Sequence, residues 1–213
     1  MIKLAGCFLC LALVLFGAGC GGKRRAAAAK TPQTAASLPL TEPTTYKHSD
    51  EELLGEAIRG SHISPQEVAN LSDRLLAEGS STFSNEKTMA RLDILLNKSV
   101  SGAPREVRPR LLRNLGIIHY HQKKYSLARQ ELQQANELYP RDARTHYYLA
   151  RLAVQNGNIY QCKGLSKKAK GQYNLAANEL EVARTIEPSN PLYRQDLKQV
   201  LQKERTFSSD PKK

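Results

Sequence analysis

Few residues in this chain have the types and spacing that chemistry needs. Cysteines stand at 7, 10, 20 and 162, and histidines at 48, 62, 119, 121 and 146. Three of the four cysteines fall within the first 20 residues. Cys162 is therefore alone in the remainder and has no internal disulfide partner. In an oxidising compartment it pairs with another molecule or stays free. Lys163 and Lys167 beside it favour the thiolate, which is weak evidence of reactivity on its own. His119 and His121 are two apart, so on a helix they point about 200° apart and cannot grip one metal. His146 reaches them only from a neighbouring element. The chain holds no phosphate-cradling glycine loop, nucleophile elbow or pair of catalytic carboxylates. Neither an enzyme nor a metal site is expected, and no cofactor. The chemistry that remains lies at Cys20 and in clustered Arg and Tyr side chains.

Cys20 ends a characteristic stretch. Lys3 supplies a short positive start, Leu4 to Phe16 is almost wholly apolar, and Gly17-Ala18-Gly19 precede the cysteine. This reads as an export signal, and the apolar run is short for a spanning helix, which wants about 20 residues. A signal ending on cysteine resembles that of bacterial lipoproteins. The resemblance implies cleavage before Cys20, a diacylglycerol on its sulfur, and an acyl chain such as palmitate on its freed amine. That family usually has a larger aliphatic residue where Gly17 stands. Gly21 after the cysteine is similar to the outer-membrane sorting pattern, so a periplasm-facing outer-membrane location is expected ahead of the inner membrane. An ordinary secretory signal, or an uncleaved anchor, is the alternative.

Residues 21–47 are rich in Ala, Thr and Pro, with Lys23-Arg24-Arg25 and Lys30, and have no aromatic before Tyr46. Such a segment has nothing to build a core from and is expected to be a disordered tether reaching roughly 30 Å. Net charge is +12; positions 1–48 carry six basic residues and one acid, leaving +7 for the rest. That balance permits anionic lipid, nucleic acid or an acidic partner and chooses none. With 213 residues, 40% hydrophobic, four Phe and no Trp, the chain suits one Leu/Ala-rich helical domain with flanking segments.

Two amphipathic runs organise that domain. Leu111, Leu112, Leu115 and Ile118 form the first, and Leu127, Ala128, Leu132, Ala135 and Leu138 the second. Each has helical spacing, and Gln122-Lys123-Lys124 turns between them. Gly116 and Ala128 are small where the helices would cross, Tyr125 opens the second helix, and Pro140 follows its end. At these positions the chain resembles the tetratricopeptide repeat, a helix-turn-helix unit of 34 residues. Leu112 replaces the family's usual Trp, and His119 stands where Tyr is common. The pattern recurs. Leu149-Ala150 answers Leu115-Gly116 at an offset of 34, and Tyr173, Ala176, Leu180, Ala183 and Pro188 answer Tyr125, Ala128, Leu132, Ala135 and Pro140 at 48. The second unit therefore contains a 14-residue insertion. It is placed near 157–171, where Gly157, Gly164 and Gly171 and four lysines favour a mobile basic loop over an extended hairpin.

Upstream, Ser49-x-x-Glu52 and Ser64-x-x-Glu67 have capping-box form, and helices are expected near 50–59, 65–78 and 85–98. They read as a degenerate hairpin at 49–104, packed before the repeats of 105–205, because repeat units bury their faces only on neighbours. Asp142 is placed to cap the first helix of the second unit. A capping helix runs from Pro191 to about Glu204, and 206–213 is expected to be a disordered tail. The domain plan is thus 1–19 signal, 20–48 lipidated Cys20 and linker, 49–104, 105–205, and tail.

The fold class is an all-α, short tetratricopeptide-like solenoid with a disordered N-terminal tether. The resemblance implies a concave groove, lined by leading helices, that takes a peptide or a partner helix. On this chain it would present Arg110, Arg113, Asn114, Ile117, Tyr120 and His121, then Arg144, Tyr147, Tyr148, Arg151 and Gln155. Arg and Tyr make large anchors, and a solvated polar face is the alternative. The family's clamp for acidic C-termini does not fit, since Ile117, Tyr148, Leu192 and Asp196 depart from it. The expected function is a membrane-tethered adaptor or assembly factor for another protein, with no nucleic acid. The competing class is charge-driven binding to anionic lipid, polysaccharide or nucleic acid, which salt would weaken steeply. Partner identity and oligomeric state are left open.

Overall fold

A computed structural model describes residues 49–208. Cys20, the signal and the linker lie outside the described residues. Among the described residues there are eight α-helices: α1 Asp50–Arg59, α2 Pro65–Leu75, α3 Glu86–Ser101, α4 Arg108–His121, α5 Tyr125–Leu138, α6 Ala143–Cys162, α7 Ser166–Ile186 and α8 Pro191–Ser208. A single 3-10 turn, Ser81–Ser84, separates α2 from α3. The fold is all-α. No helix among the described residues is long and apolar enough to cross a membrane.

Local chemistry sets the helix starts. Ser49 with Glu52 and Ser64 with Glu67 form complete capping boxes, and Pro65 opens α2. Asp142 caps α6 by accepting from the amides of Arg144 and Thr145. The pairs α2–α3, α4–α5 and α6–α7 are hairpins stacked in chain order, and α8 packs on α7. One continuous core runs through them, from Leu54 to Val200. Helix α4 is central, with every residue from Leu111 to Tyr120 buried. Gly116 permits this closeness. A Cβ there would fall 2.7 Å from Cγ of Leu132 and 3.2 Å from the carbonyl oxygen of Ala128. Leu127 and Leu138, read as core positions, are exposed instead.

The segment 157–171 is not a loop. The insertion lengthens both arms of the second hairpin, and the reversal moves to 163–165. The two reversals have one geometry. Lys123 and Gly164 take left-handed φ values of 63° and 70°. The amide of Lys124 donates to the carbonyl of His119 at 2.9 Å, as that of Leu165 does to Tyr160 at 2.9 Å. Their offset is 41, midway between 34 and 48, so seven inserted residues precede the turn and seven follow it. Seven residues are close to two helical turns, which keeps each apolar stripe in phase. The glycines that argued against helix are mostly accommodated. Gly164 sits in the turn, where its φ suits glycine. Gly157 is buried where a Cβ would fall 2.7 Å from Cε1 of Tyr173. Gly171 alone is a glycine on an open helical surface. The expected tail is also partly ordered, since α8 continues to Ser208.

Candidate functional site

The leading helices α4 and α6 do not present an open row of anchors. Arg113 is 7% exposed. Its guanidinium pairs with Asp73 on α2 and, at 2.6 Å, with Asp142 at the start of α6. Asn114 is fully buried and donates to Asp73 at 2.6 Å and to the Ser72 hydroxyl at 2.8 Å. Arg110 closes on Asp73 at 2.6 Å and on Asn70 at 2.9 Å. Burial alone would raise the Asp73 pKa, but Arg113, Arg110 and Asn114 outweigh it and hold the carboxyl below its ordinary value. Burial likewise works against the Arg113 charge, and Asp142 and Asp73 more than restore it. These three residues, read as partner contacts, instead bond α4 to α2. Arg144 is also committed, donating to the carbonyl of Leu76 at 2.6 Å. The correction has a simple cause. Helical spacing assigns a residue to a face, and α2 with the segment after it covers that face.

Aromatic residues fill the next layer. Tyr120, Tyr147 and Tyr148 are all buried. Tyr148 lies edge-on to both Tyr120 and Tyr147 at 5.4 Å between ring centroids, and Tyr147 meets Tyr193 of α8 at 5.1 Å. The Tyr147 hydroxyl donates to Asp196 at 3.1 Å. Burial, ahead of nearby charges, pushes the Tyr147 and Tyr148 phenols up. His121 stacks on Phe83 of the 3-10 turn at 4.0 Å and reaches the Tyr148 hydroxyl at 3.2 Å. Burial and then the Arg151 charge push His121 down to about 4, so it is neutral at neutral pH.

Arg151 is the exception among the expected anchors. Its guanidinium carbon lies 5.1, 5.6 and 5.8 Å from the ring centres of Tyr120, Tyr147 and Tyr148, a cation held over aromatic faces. Among the described residues it has no carboxylate ion pair. It lines a cavity of about 240 Å³ together with Tyr120, Gln155, Asp196, Gln199 and Lys203. The cavity lies where α4, α6 and α7 face α8. Asp196, Gln199 and Lys203 come from α8, a helix to which spacing alone gives only a capping role.

The remaining candidates hold the hairpins together. His119 Nδ1 meets Glu131 at 2.7 Å across α4–α5, and His146 Nδ1 meets Glu179 at 2.6 Å across α6–α7. Glu131 and Glu179 are equivalent positions at the offset of 48. No group of three metal-ligating side chains occurs among the described residues. Cys162 is a free, exposed thiol.

Comparison with protein families finds a match to a repeat family. The tetratricopeptide repeat profile covers residues 109–142, which is α4, its turn, α5 and the start of the next unit. No curated protein matches the chain. The chain thus carries a tetratricopeptide-type repeat within an all-α fold, and repeats of this type are generally non-catalytic modules that bind proteins or peptides.

Proposed function

We propose that the chain is an envelope lipoprotein, anchored through Cys20, whose helical repeats hold a protein partner in the cavity centred on Arg151. The observation that carries the binding role is that cavity. It combines a guanidinium that has no carboxylate ion pair among the described residues, three aromatic rings that fix it, and polar side chains from α8. A partner segment entering it meets a charged donor whose position is set before binding, so little side-chain entropy is lost. The anchoring role rests on the signal ending at Cys20 and on the polar linker after it. A lipid there would hold the domain within roughly 30 Å of a membrane. Its placement at the outer membrane facing the periplasm rests on Gly21.

The two halves have separate tests. A photo-crosslinking residue at Gln155 or Gln199 should trap one discrete partner from membranes, and a residue on the outer face at Gln134 should not. Arg151→Ala should abolish the crosslink with the helical circular-dichroism signal intact. Equal crosslinking from Gln134 would remove the cavity from the reading. For the anchor, mass spectrometry of the mature N-terminus should find acylated Cys20. An intact Met1, or cleavage elsewhere, would remove it.

A further inference from the structure

The second hairpin ends in a surface that the cavity does not use. From Ala143 to Asn178 the chain has no acidic residue, and it carries Arg144, Arg151, Lys163, Lys167, Lys168 and Lys170. The structure places Lys163 in the reversal and Lys167, Lys168 and Lys170 on the first two turns of α7. At the first hairpin's reversal, Lys124 is neutralised by Asp93 at 3.4 Å. At the second, Lys163, Lys167 and Lys168 are exposed, and among the described residues none of them forms an ion pair. Lys168 lies 5.8 Å from the Tyr160 ring centre. Between these charges stand two exposed aliphatic side chains, Ile159 at 44% and Leu165 at 41%.

We infer that this end of the α6–α7 hairpin docks on an anionic lipid surface. Charge complementarity supplies the attraction, and the two aliphatic side chains select among anionic partners. On a bilayer they enter below the headgroups while the lysine stems carry their ammonium groups at phosphate depth. A nucleic acid or an acidic protein would match the lysines and leave Ile159 and Leu165 in water. Two such side chains are also too small a patch to anchor a protein interface. The inserted fourteen residues gain a role by this reading. They carry the basic end about 10 Å farther along the hairpin than an uninserted unit would. The inference is independent of the Arg151 cavity and of the chemistry at Cys20.

Cys162 reports directly on this surface. In the full chain carrying Cys7→Ser, Cys10→Ser and Cys20→Ser, it is the one thiol left. Its alkylation by a membrane-impermeant maleimide is timed with phosphatidylglycerol/phosphatidylcholine vesicles and with phosphatidylcholine alone. Anionic vesicles should slow the reaction at least fivefold and neutral vesicles should leave it unchanged. K163Q/K167Q/K168Q should abolish the protection, since each lysine contributes about fivefold to affinity for an anionic surface, and I159S/L165S should weaken it. Ile159, Lys163, Leu165, Lys167 and Lys168 are all exposed, and each variant is compared with itself without vesicles. Equal rates with both vesicle types, or protection that survives the lysine substitutions, would overturn the inference. Protection by duplex DNA or polyglutamate without protection by anionic vesicles would also overturn it, in favour of those partners.

Discussion

Asp73 receives Arg110, Arg113 and Asn114 from α4, and removing it strands a buried guanidinium and a buried amide. Asp73→Ala should cost roughly 3 kcal/mol, read from urea unfolding. A loss below about 1 kcal/mol would mean that Asp142 alone satisfies Arg113. Its importance was hidden in the sequence, because it lies 40 residues before Arg113 in the segment with the weakest repeat pattern. The aromatic types at 120, 147 and 148 were legible, and their burial was not, because it depends on α8 folding back. His121 gives a pH test. Its pKa is pushed from the ordinary 6.5 to about 4, so between those values the unfolded chain binds a proton that the folded chain refuses, and stability falls as pH drops. His119 and His146 act in the opposite sense. Burial opposes the His119 charge, but Glu131 and Asp93 raise its pKa; Glu179 raises that of His146. The stability they add is present below pH about 6.5 and is lost as pH rises through their folded values. His121→Phe preserves the stack on Phe83 and should remove up to one proton from the slope between pH 6.5 and 4. An unchanged slope would mean that His121 protonates freely in the fold.

At the scale of elements, the three glycines of the second hairpin separate into three physical cases. Gly157→Ala drives a Cβ against the Tyr173 ring. That ring cannot simply swing aside, because its hydroxyl lies 2.9 Å from both Asn158 Oδ1 and Gln161 Oε1 and donates its one proton to one or the other. The substitution should cost about 1–3 kcal/mol. Gly164→Ala places a side chain at φ 70° and should cost about 1 kcal/mol. Gly171→Ala meets nothing within 4 Å and should stabilise α7 by about 1 kcal/mol. For a domain of this size each kcal/mol moves Tm by about 2–4 °C, so a thermal melt ranks all three. If all three alanines stabilise, the hairpin is looser than its packing indicates. The capping boxes, the Asp142 cap and the fourteen-residue insertion could be read from residue types and offsets. The glycine roles could not, since a helix cost, a close approach and a left-handed turn look identical in a one-dimensional pattern. Only the matching turn geometry at Lys123 and Gly164 shows that the insertion is split evenly around the reversal.

At the scale of the molecule, the repeats depend on the helices before them. The family profile begins at residue 109, as though the domain started there, yet α4 is buried on every side. A single repeat leaves its leading helix uncovered, so a buried α4 requires α2 and α3 on one flank and α6 on the other. Leu71, Leu75, Leu92 and Leu95 are all buried in the shared core, and each such burial is worth roughly 1.5–3 kcal/mol. Removing α1–α3 would also take Asp73 and Ser72 from Arg113 and Asn114, and Phe83 from His121. The total is comparable to the usual margin of about 5–15 kcal/mol that keeps a domain folded. A fragment beginning at Arg105 should therefore lose its cooperative thermal transition or aggregate, while a fragment beginning at Ser49 should melt in one step. A fragment from Arg105 that melts at the temperature of the longer one would make α1–α3 an appendage. It would also mean that the charged layer around Asp73 adds no net stability.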